Sequence, residues 1–273
     1  MTVMSQTALT IVGCGWLGLP LALKLKQLGW QVSGSSRKPE TLNILQKAGI
    51  GYASLSLDTQ LHCADPRALF QAPTLLISVP PGCQQQTNSY AKRMDLLVRA
   101  ARQHGITQAL FISSTSVYQD GDNFPVVAED SPLGSSARAQ TMQAAERVIQ
   151  QGFSRWMILR PAGLVGEGRH PGRFLAGKND LAGAMTPVNL VHRDDVMAAI
   201  IWLLTKPYWG QCFNLCAPKY YERADFYPTV AKAQGLLAPI FSSQPQRGKR
   251  VSSDKLQRLG FRYQYPDLLA AFI

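Results

Sequence analysis

Two rhythms of apolar and polar positions alternate along this chain. Ala8-Leu9-Thr10-Ile11-Val12 is a short apolar run that enters Gly13-Cys14-Gly15-Trp16-Leu17-Gly18, and an apolar, Lys-spaced segment follows as far as Gly29. That order predicts strand, turn and helix. Residues 30–34 then read as a strand, 39–47 as a helix closing at Gly49, 51–57 as a strand and 66–70 as a short helix. Residues 74–79 form a continuous apolar run of the kind buried on both faces of a parallel sheet. Tyr90, Met94, Leu97, Val98 and Ala101 recur at helical spacing over 88–103, and 108–113 is the next strand. A polar loop over 119–136 precedes a helix over 137–151 and a buried strand over 156–159. Alternation of this kind predicts an α/β fold, a doubly wound parallel sheet of the Rossmann type.

From Pro161 the alternation fails, and residues 161–187 are rich in Gly, Pro, Arg and His. We read them as a binding loop. A helix over 194–204 and a strand over 211–215 rejoin the main part, and 222–273 reads as a small helical cap punctuated by prolines. The expected organisation is a dinucleotide-binding part over 1–160, to which 188–215 returns, and a small C-terminal substrate-binding cap made of 161–187 and 216–273.

The glycine turn carries the first chemical signal. Its first glycine permits a tight turn, the second removes a side chain where backbone approaches a pyrophosphate, and the third lets helix pack on strand. The pyrophosphate then rests on N–H groups at the positive end of the helix. Gly13, Gly15, Trp16, Leu17 and Gly18 are the expected contacts. At the end of the second strand, NAD-selective relatives of this motif carry an acidic residue; here Ser35-Ser36-Arg37 stands in that place. Two hydroxyls and a guanidinium suit a 2′-phosphate, so NADP is preferred over NAD. Val79 and Pro80 end the fourth strand at the carboxyl edge, where such sheets bind ligands.

Composition narrows the picture only a little. The 273 residues include 28 Lys and Arg against 17 Asp and Glu, a formal charge of +11 that favours anionic partners. No block of five or six like charges occurs, so nucleic acid is not the expected partner. Arg169, His170 and Arg173, with Lys178 beyond them, concentrate cations in the binding loop and point to an anionic small molecule. The five cysteines, at 14, 63, 83, 212 and 216, show no disulfide or metal spacing, which suggests reduced thiols in a cytoplasm and no metal. No apolar run reaches the roughly 18 residues of a membrane span.

Several stretches together resemble the extended short-chain dehydrogenase/reductase superfamily, also called the NAD-dependent epimerase/dehydratase family. They are the Gly13 to Gly18 turn, Ser113-Ser114-Thr115-Ser116-Val117-Tyr118, Leu159-Arg160-Pro161-Ala162-Gly163-Leu164-Val165-Gly166, Val191-His192-Arg193-Asp194-Asp195-Val196 and Leu259-Gly260-Phe261 with Tyr265-Pro266. Within it the chain is similar to the atypical YeeZ-like members, which share the Gly-Trp-Leu-Gly turn and the loop from Gly168 to Phe174. The resemblance implies cofactor contacts at Asp58, Pro161 and Leu164, a catalytic hydroxyl at Ser114, and dimers through helices such as 88–103 and 137–151.

It also exposes a gap. The superfamily's Tyr-x-x-x-Lys pair, its proton relay, would fall on Arg138 and Met142. An arginine is a poor proton donor at neutral pH, and methionine supplies no charge. Three alternatives stay open: another acid/base, with Tyr118, His170, His192 and Glu129 as candidates; water in that role; or a catalytically silent NADP-binding sensor or regulatory module. His170 and His192 are also read as substrate contacts, although Asp194 is placed to cap the helix after His192 and leave that histidine a structural hydrogen bond.

Overall fold

The computed structural model describes residues 7–82 and 87–273. Cys83, one of the five cysteines, lies outside them. In chain order the elements begin β1 (Ala8–Val12), α1 (Gly18–Gln27), β2 (Gln31–Ser36), α2 (Pro39–Lys47), β3 (Gly51–Leu57), β4 (Leu61–Cys63), α3 (Pro66–Leu69), β5 (Thr74–Ile77), α4 (Thr87–Gln103) and β6 (Gln108–Ile112). They continue with a 3-10 turn (Thr115–Val117), β7 (Val126–Val127), α5 (Ala137–Gly152), β8 (Arg155–Pro161), β9 (Gly163–Val165), a second 3-10 turn (Pro171–Arg173), β10 (Leu190–His192) and α6 (Arg193–Leu204). Last come β11 (Gln211–Leu215), α7 (Arg223–Ala233), β12 (Arg250–Val251), α8 (Asp254–Arg258) and α9 (Leu268–Ala271).

Eight strands form one sheet in the order β11-β8-β6-β5-β1-β2-β3-β4. The pairs from β8 across to β3 are parallel, and β4 runs antiparallel to β3 at the edge. Because the chain moves outward one way from β1 to β3 and then crosses back to β5, the winding reverses between β1 and β5. A crevice at the carboxyl ends of the strands opens at such a reversal. Leu9, Ile11, Val12, Leu75, Leu76 and Ile77 are fully buried there, each contributing about 1.5–3 kcal/mol by leaving water.

Two compact units are resolved: Met1–Ser113 with Gln140–Leu159 and Pro207–Gln211, and Ser114–Ala139 with Arg160–Lys206 and Cys212–Ile273. The cut differs from the sequence-based boundaries: 114–139, residue 160 and all of 188–215 except 207–211 belong to the second unit. Part of the reason lies in packing, since strand β10 contributes Leu190 to a core of Val165, Val188, Leu190, Ala217, Phe226, Val230 and Leu268 that belongs wholly to the second unit. The binding loop 161–187 is also less irregular than its composition predicts: it contains β9, paired with β10, and a 3-10 turn.

Candidate functional site

The first unit builds its candidate site from the glycine turn. Gly13 has φ +103°, and a Cβ on it would lie 2.6 Å from the Ser78 carbonyl oxygen. A Cβ on Gly18 would lie 2.3 Å from the Gly13 carbonyl oxygen. Both glycines are therefore required by the protein's own packing. Gly15 differs: it is exposed, and nothing lies within 4 Å of the place its Cβ would occupy. That open space above a helix start is the cradle a pyrophosphate needs. Leu17, the residue before α1, is 5 % exposed and places no side-chain oxygen on the first turn, which also holds no acidic residue. The positive end of α1 is thus left for an anion, and a dinucleotide fits the residues present.

Ser35 steadies this turn. It is buried, its carbonyl accepts from the Cys14 N–H at 2.7 Å, and its hydroxyl accepts from the Gly13 N–H at 3.4 Å. Ser35 therefore acts on the turn. Ser36 accepts from the Lys38 N–H at 3.1 Å, and Arg37 is exposed at the strand's end. Asp58 is exposed just beyond β3, with its N–H donated to the Gln60 carbonyl at 3.1 Å. Val79 approaches the turn, its Cγ2 lying 3.3 Å from a Cβ built on Gly13, and Pro80 is exposed beside it. Gly34 completes the set and had no place among the expected residues. A Cβ there would meet the Cys14 Sγ at 2.5 Å, a close approach of the kind an isolated glycine inside a strand signals. Burial pushes the Cys14 thiol up to about 12, so it stays protonated and inert.

The second unit treats its candidates differently. Ser114 is half-buried, and its Oγ accepts from the Ser116 N–H at 3.1 Å, capping the 3-10 turn that follows. One acceptor site of the hydroxyl is used, and its proton remains to donate. Tyr118, expected as a catalytic residue, stands instead in a buried network. It is 2 % exposed, donates to Asn214 Oδ1 at 2.7 Å and accepts from Arg160 Nη1 at 2.7 Å. Burial, only partly offset by Arg160, pushes its phenol up to about 12. Glu129 is tied into the same network, accepting from the Asn214 N–H at 2.8 Å. No local signal in the sequence links Tyr118 to Asn214, 96 positions away in the chain.

Both histidines are engaged as well. His170 Nδ1 accepts from the Gly172 N–H at 3.1 Å, and its ring meets Phe272 edge-on at 4.9 Å. His192, not Asp194, caps α6: its Nδ1 accepts from the Asp194 N–H at 3.2 Å, and its ring lies 3.8 Å from that of Tyr265. Burial is the leading cause that lowers the pKa of each. Asp194 is occupied with its neighbour, as Arg193 Nε reaches its Oδ1 at 3.5 Å. Pro161 is buried at the end of β8, Leu164 is half-buried on β9, and Arg169 and Arg173 are exposed.

Helix α5 carries the two positions that the resemblance matches to the Tyr-x-x-x-Lys pair. Arg138 is exposed and Met142 is 3 % exposed, a packed apolar side chain. One turn on, buried Glu146 accepts from the Ser113 hydroxyl at 2.5 Å. Among the described residues no group of three or more His, Cys, Asp or Glu could hold a metal ion, and no helix is long and apolar enough to cross a membrane.

Comparison with known proteins agrees with this geometry. The family model described as NAD(P)H-binding matches residues 13–207. The Escherichia coli K12 protein YeeZ is 39 % identical, the match covering 95 % of this chain and 96 % of that one. A dTDP-glucose 4,6-dehydratase from Bacillus anthracis, solved with NAD, superposes with a TM-score of 0.77 at 11 % identity, over 97 % of this chain and 95 % of the other. A UDP-N-acetylglucosamine 4-epimerase from Bacillus cereus gives a TM-score of 0.76 at 17 % identity, over 97 % and 94 %. With a Rossmann sheet, an open glycine turn at its reversal point and these relatives, the chain belongs to the NAD(P)H-binding family, as a YeeZ-like member.

Proposed function

We propose that this protein binds NADP in preference to NAD and acts as an oxidoreductase or epimerase on an anionic small molecule of the nucleotide-sugar class. The observation that carries the reading is the open space at Gly15 before an uncapped, acid-free helix start. There the backbone at the start of α1, around Gly15 and Gly18, holds the pyrophosphate, while Trp16 and Leu17 form the rim. Arg37 binds the 2′-phosphate, with Ser36 at the strand end beside it and Asp58 toward the adenine. Val79 and Pro80, with Pro161 and Leu164, are the remaining cofactor contacts. When bound, the nicotinamide supplies hydride acceptance and donation.

For the substrate, Ser114 offers a hydroxyl proton that its bond to the Ser116 N–H does not consume, and it orients a substrate oxygen. Arg169 and Arg173 supply the charge that recognises an anion, and His170 and His192 shape the loop that presents them. Two solved structures of the same fold are named for dTDP-glucose and UDP-N-acetylglucosamine chemistry, which supports that substrate class.

A second reading is favoured by α5 and Tyr118: with Met142 buried and the Tyr118 phenol near 12, a protein that binds NADP as a sensor has no need of an acid/base. A panel of nucleotide sugars incubated with NADP separates the two. Turnover of any member, abolished by Ser114→Ala with NADPH affinity retained, establishes the enzyme. Tight NADPH binding with no turnover across the panel establishes the sensor, and NADH binding tenfold tighter than NADPH sinks the Arg37 assignment.

A further inference from the structure

We propose that Arg93, held by Tyr90, is a further dinucleotide-binding residue, which clamps the turn after β5 and keeps one guanidinium N–H for an oxygen of the bound nucleotide. The proposal rests on the reading of the first unit as the dinucleotide-binding one. Tyr90 and Arg93 are three apart on α4 and so share a face. Tyr90 is 1 % exposed, and its hydroxyl donates to the Val79 carbonyl at 2.5 Å. Arg93 Nη2 donates to the Pro81 carbonyl, and its guanidinium carbon lies 5.3 Å from the centre of the Tyr90 ring. Burial raises the Tyr90 phenol, so it remains a donor at any ordinary pH.

The clamped carbonyls flank Pro80, and with a proline following as well the turn has no N–H of its own at either position. External donors must therefore define its path. That path matters, because the Ser78 N–H donates to the Val12 carbonyl at 2.9 Å and the Ser78 oxygen and Val79 Cγ2 form the wall against Gly13. A turn held in this way fixes one side of the glycine cradle.

One donor in the clamp is left over. Arg93 Nε is buried and, among the described residues, meets no hydrogen-bond partner. An orphaned buried donor is costly and rare, and one on a guanidinium more so. Arginine carries five N–H groups in a fixed fork, so it can hold Pro81 with one and offer another elsewhere. Ribose hydroxyls and phosphates present such acceptors, and a dinucleotide crossing the reversal between β1 and β5 brings them to this edge.

Calorimetric titration of the full chain with two ligands tests the assignment. NADPH spans the whole site; adenosine 2′,5′-bisphosphate carries only the adenosine half, on the β2 side of β1 and away from β5. Arg93→Lys keeps the charge and removes the Nε–H, and Arg93→Gln removes the charge too. Both should raise the NADPH Kd about tenfold, the loss expected for one charge-assisted hydrogen bond, while the half-ligand Kd stays within about twofold. Tyr90→Phe should give the same pattern, weaker. Unchanged NADPH affinity in Arg93→Lys overturns the proposal, and so does equal weakening of both ligands, which marks a general disturbance of the fold. If the unaltered chain binds neither NADPH nor NADH, the dinucleotide reading falls and this one with it. If it prefers NADH, the same comparison is read from NADH against ADP.

Discussion

The glycine turn of the first unit and the Ser114–Tyr118 and 166–174 segments of the second use their polar groups in opposite ways. Around Gly13–Gly18 the protein spends its contacts on placing backbone and leaves space over Gly15 and an uncapped helix end. In the second unit Tyr118, Glu129, His170 and His192 are each bonded to their own chain. A site that leaves donors and volume unused is built for a ligand; one that satisfies its polar groups internally is built to hold shape. The contrast locates the secure part of the function in nucleotide binding and leaves the Ser114 hydroxyl proton and exposed Arg173 as candidate groups of the other unit.

The sharpest way to break that contrast is within the turn. Gly18→Ala forces a Cβ to 2.3 Å from backbone at Gly13, so it should lose about 3 kcal/mol or more of stability in urea denaturation along with all measurable NADPH binding. Gly15→Ala meets no atom of the protein. It should melt at an unchanged temperature and yet bind NADPH about thirtyfold more weakly by calorimetry. Equal losses of stability at both positions would erase the distinction between packing and ligand glycines.

Tyr118→Phe reverses the pattern. Removing the hydroxyl takes the donor from Asn214 Oδ1 and one acceptor from Arg160 Nη1, which keeps the Glu129 carbonyl at 3.3 Å, in a buried setting, a loss of about 1–3 kcal/mol in chemical denaturation. NADPH affinity should not change. Catalytic loss without destabilisation would return Tyr118 to the reaction. Arg37→Ser acts at an exposed position, so folding should be untouched while the NADPH over NADH preference falls about tenfold.

The smallest effect is a pH slope. His192 has its pKa lowered from the ordinary 6.5, with burial as the leading cause, so the neutral ring is the one the fold favours. The unfolded chain binds the proton more readily, and stability should therefore fall as pH drops through 6.5 toward the lowered native value. His192→Asn keeps a side-chain oxygen at the helix cap and should flatten the slope in denaturation series run between those limits. An unchanged slope would assign it to other groups.

Much of the architecture was legible because its strands are buried on both faces and its helices are long. Helix Pro39–Lys47 and strands Gly51–Leu57 and Gln211–Leu215 fall where composition and punctuation put them. The five strands of two or three residues, β4, β7, β9, β10 and β12, left no legible pattern. Segments so short have no period to read and exist only because a partner strand lies beside them. The sites divide along the same line. Gly13, Gly15 and Gly18 announce a local backbone geometry that neighbours in sequence create. Asn214, Arg160 and Glu129 join Tyr118 from positions far apart, so nothing near Tyr118 in the chain warns that its hydroxyl is occupied.

By itself the sequence determined the alternation of strand and helix, the glycine turn, the cationic replacement at the end of β2 and the absence of Tyr-x-x-x-Lys, all features written in consecutive residues. Only the tertiary structure decided which groups remain available. It opened Gly15, buried Tyr118, made His192 the cap in place of Asp194, and gave Arg93 a turn to clamp and a donor to spare. Availability depends on what each polar atom meets across space, and no local pattern encodes that.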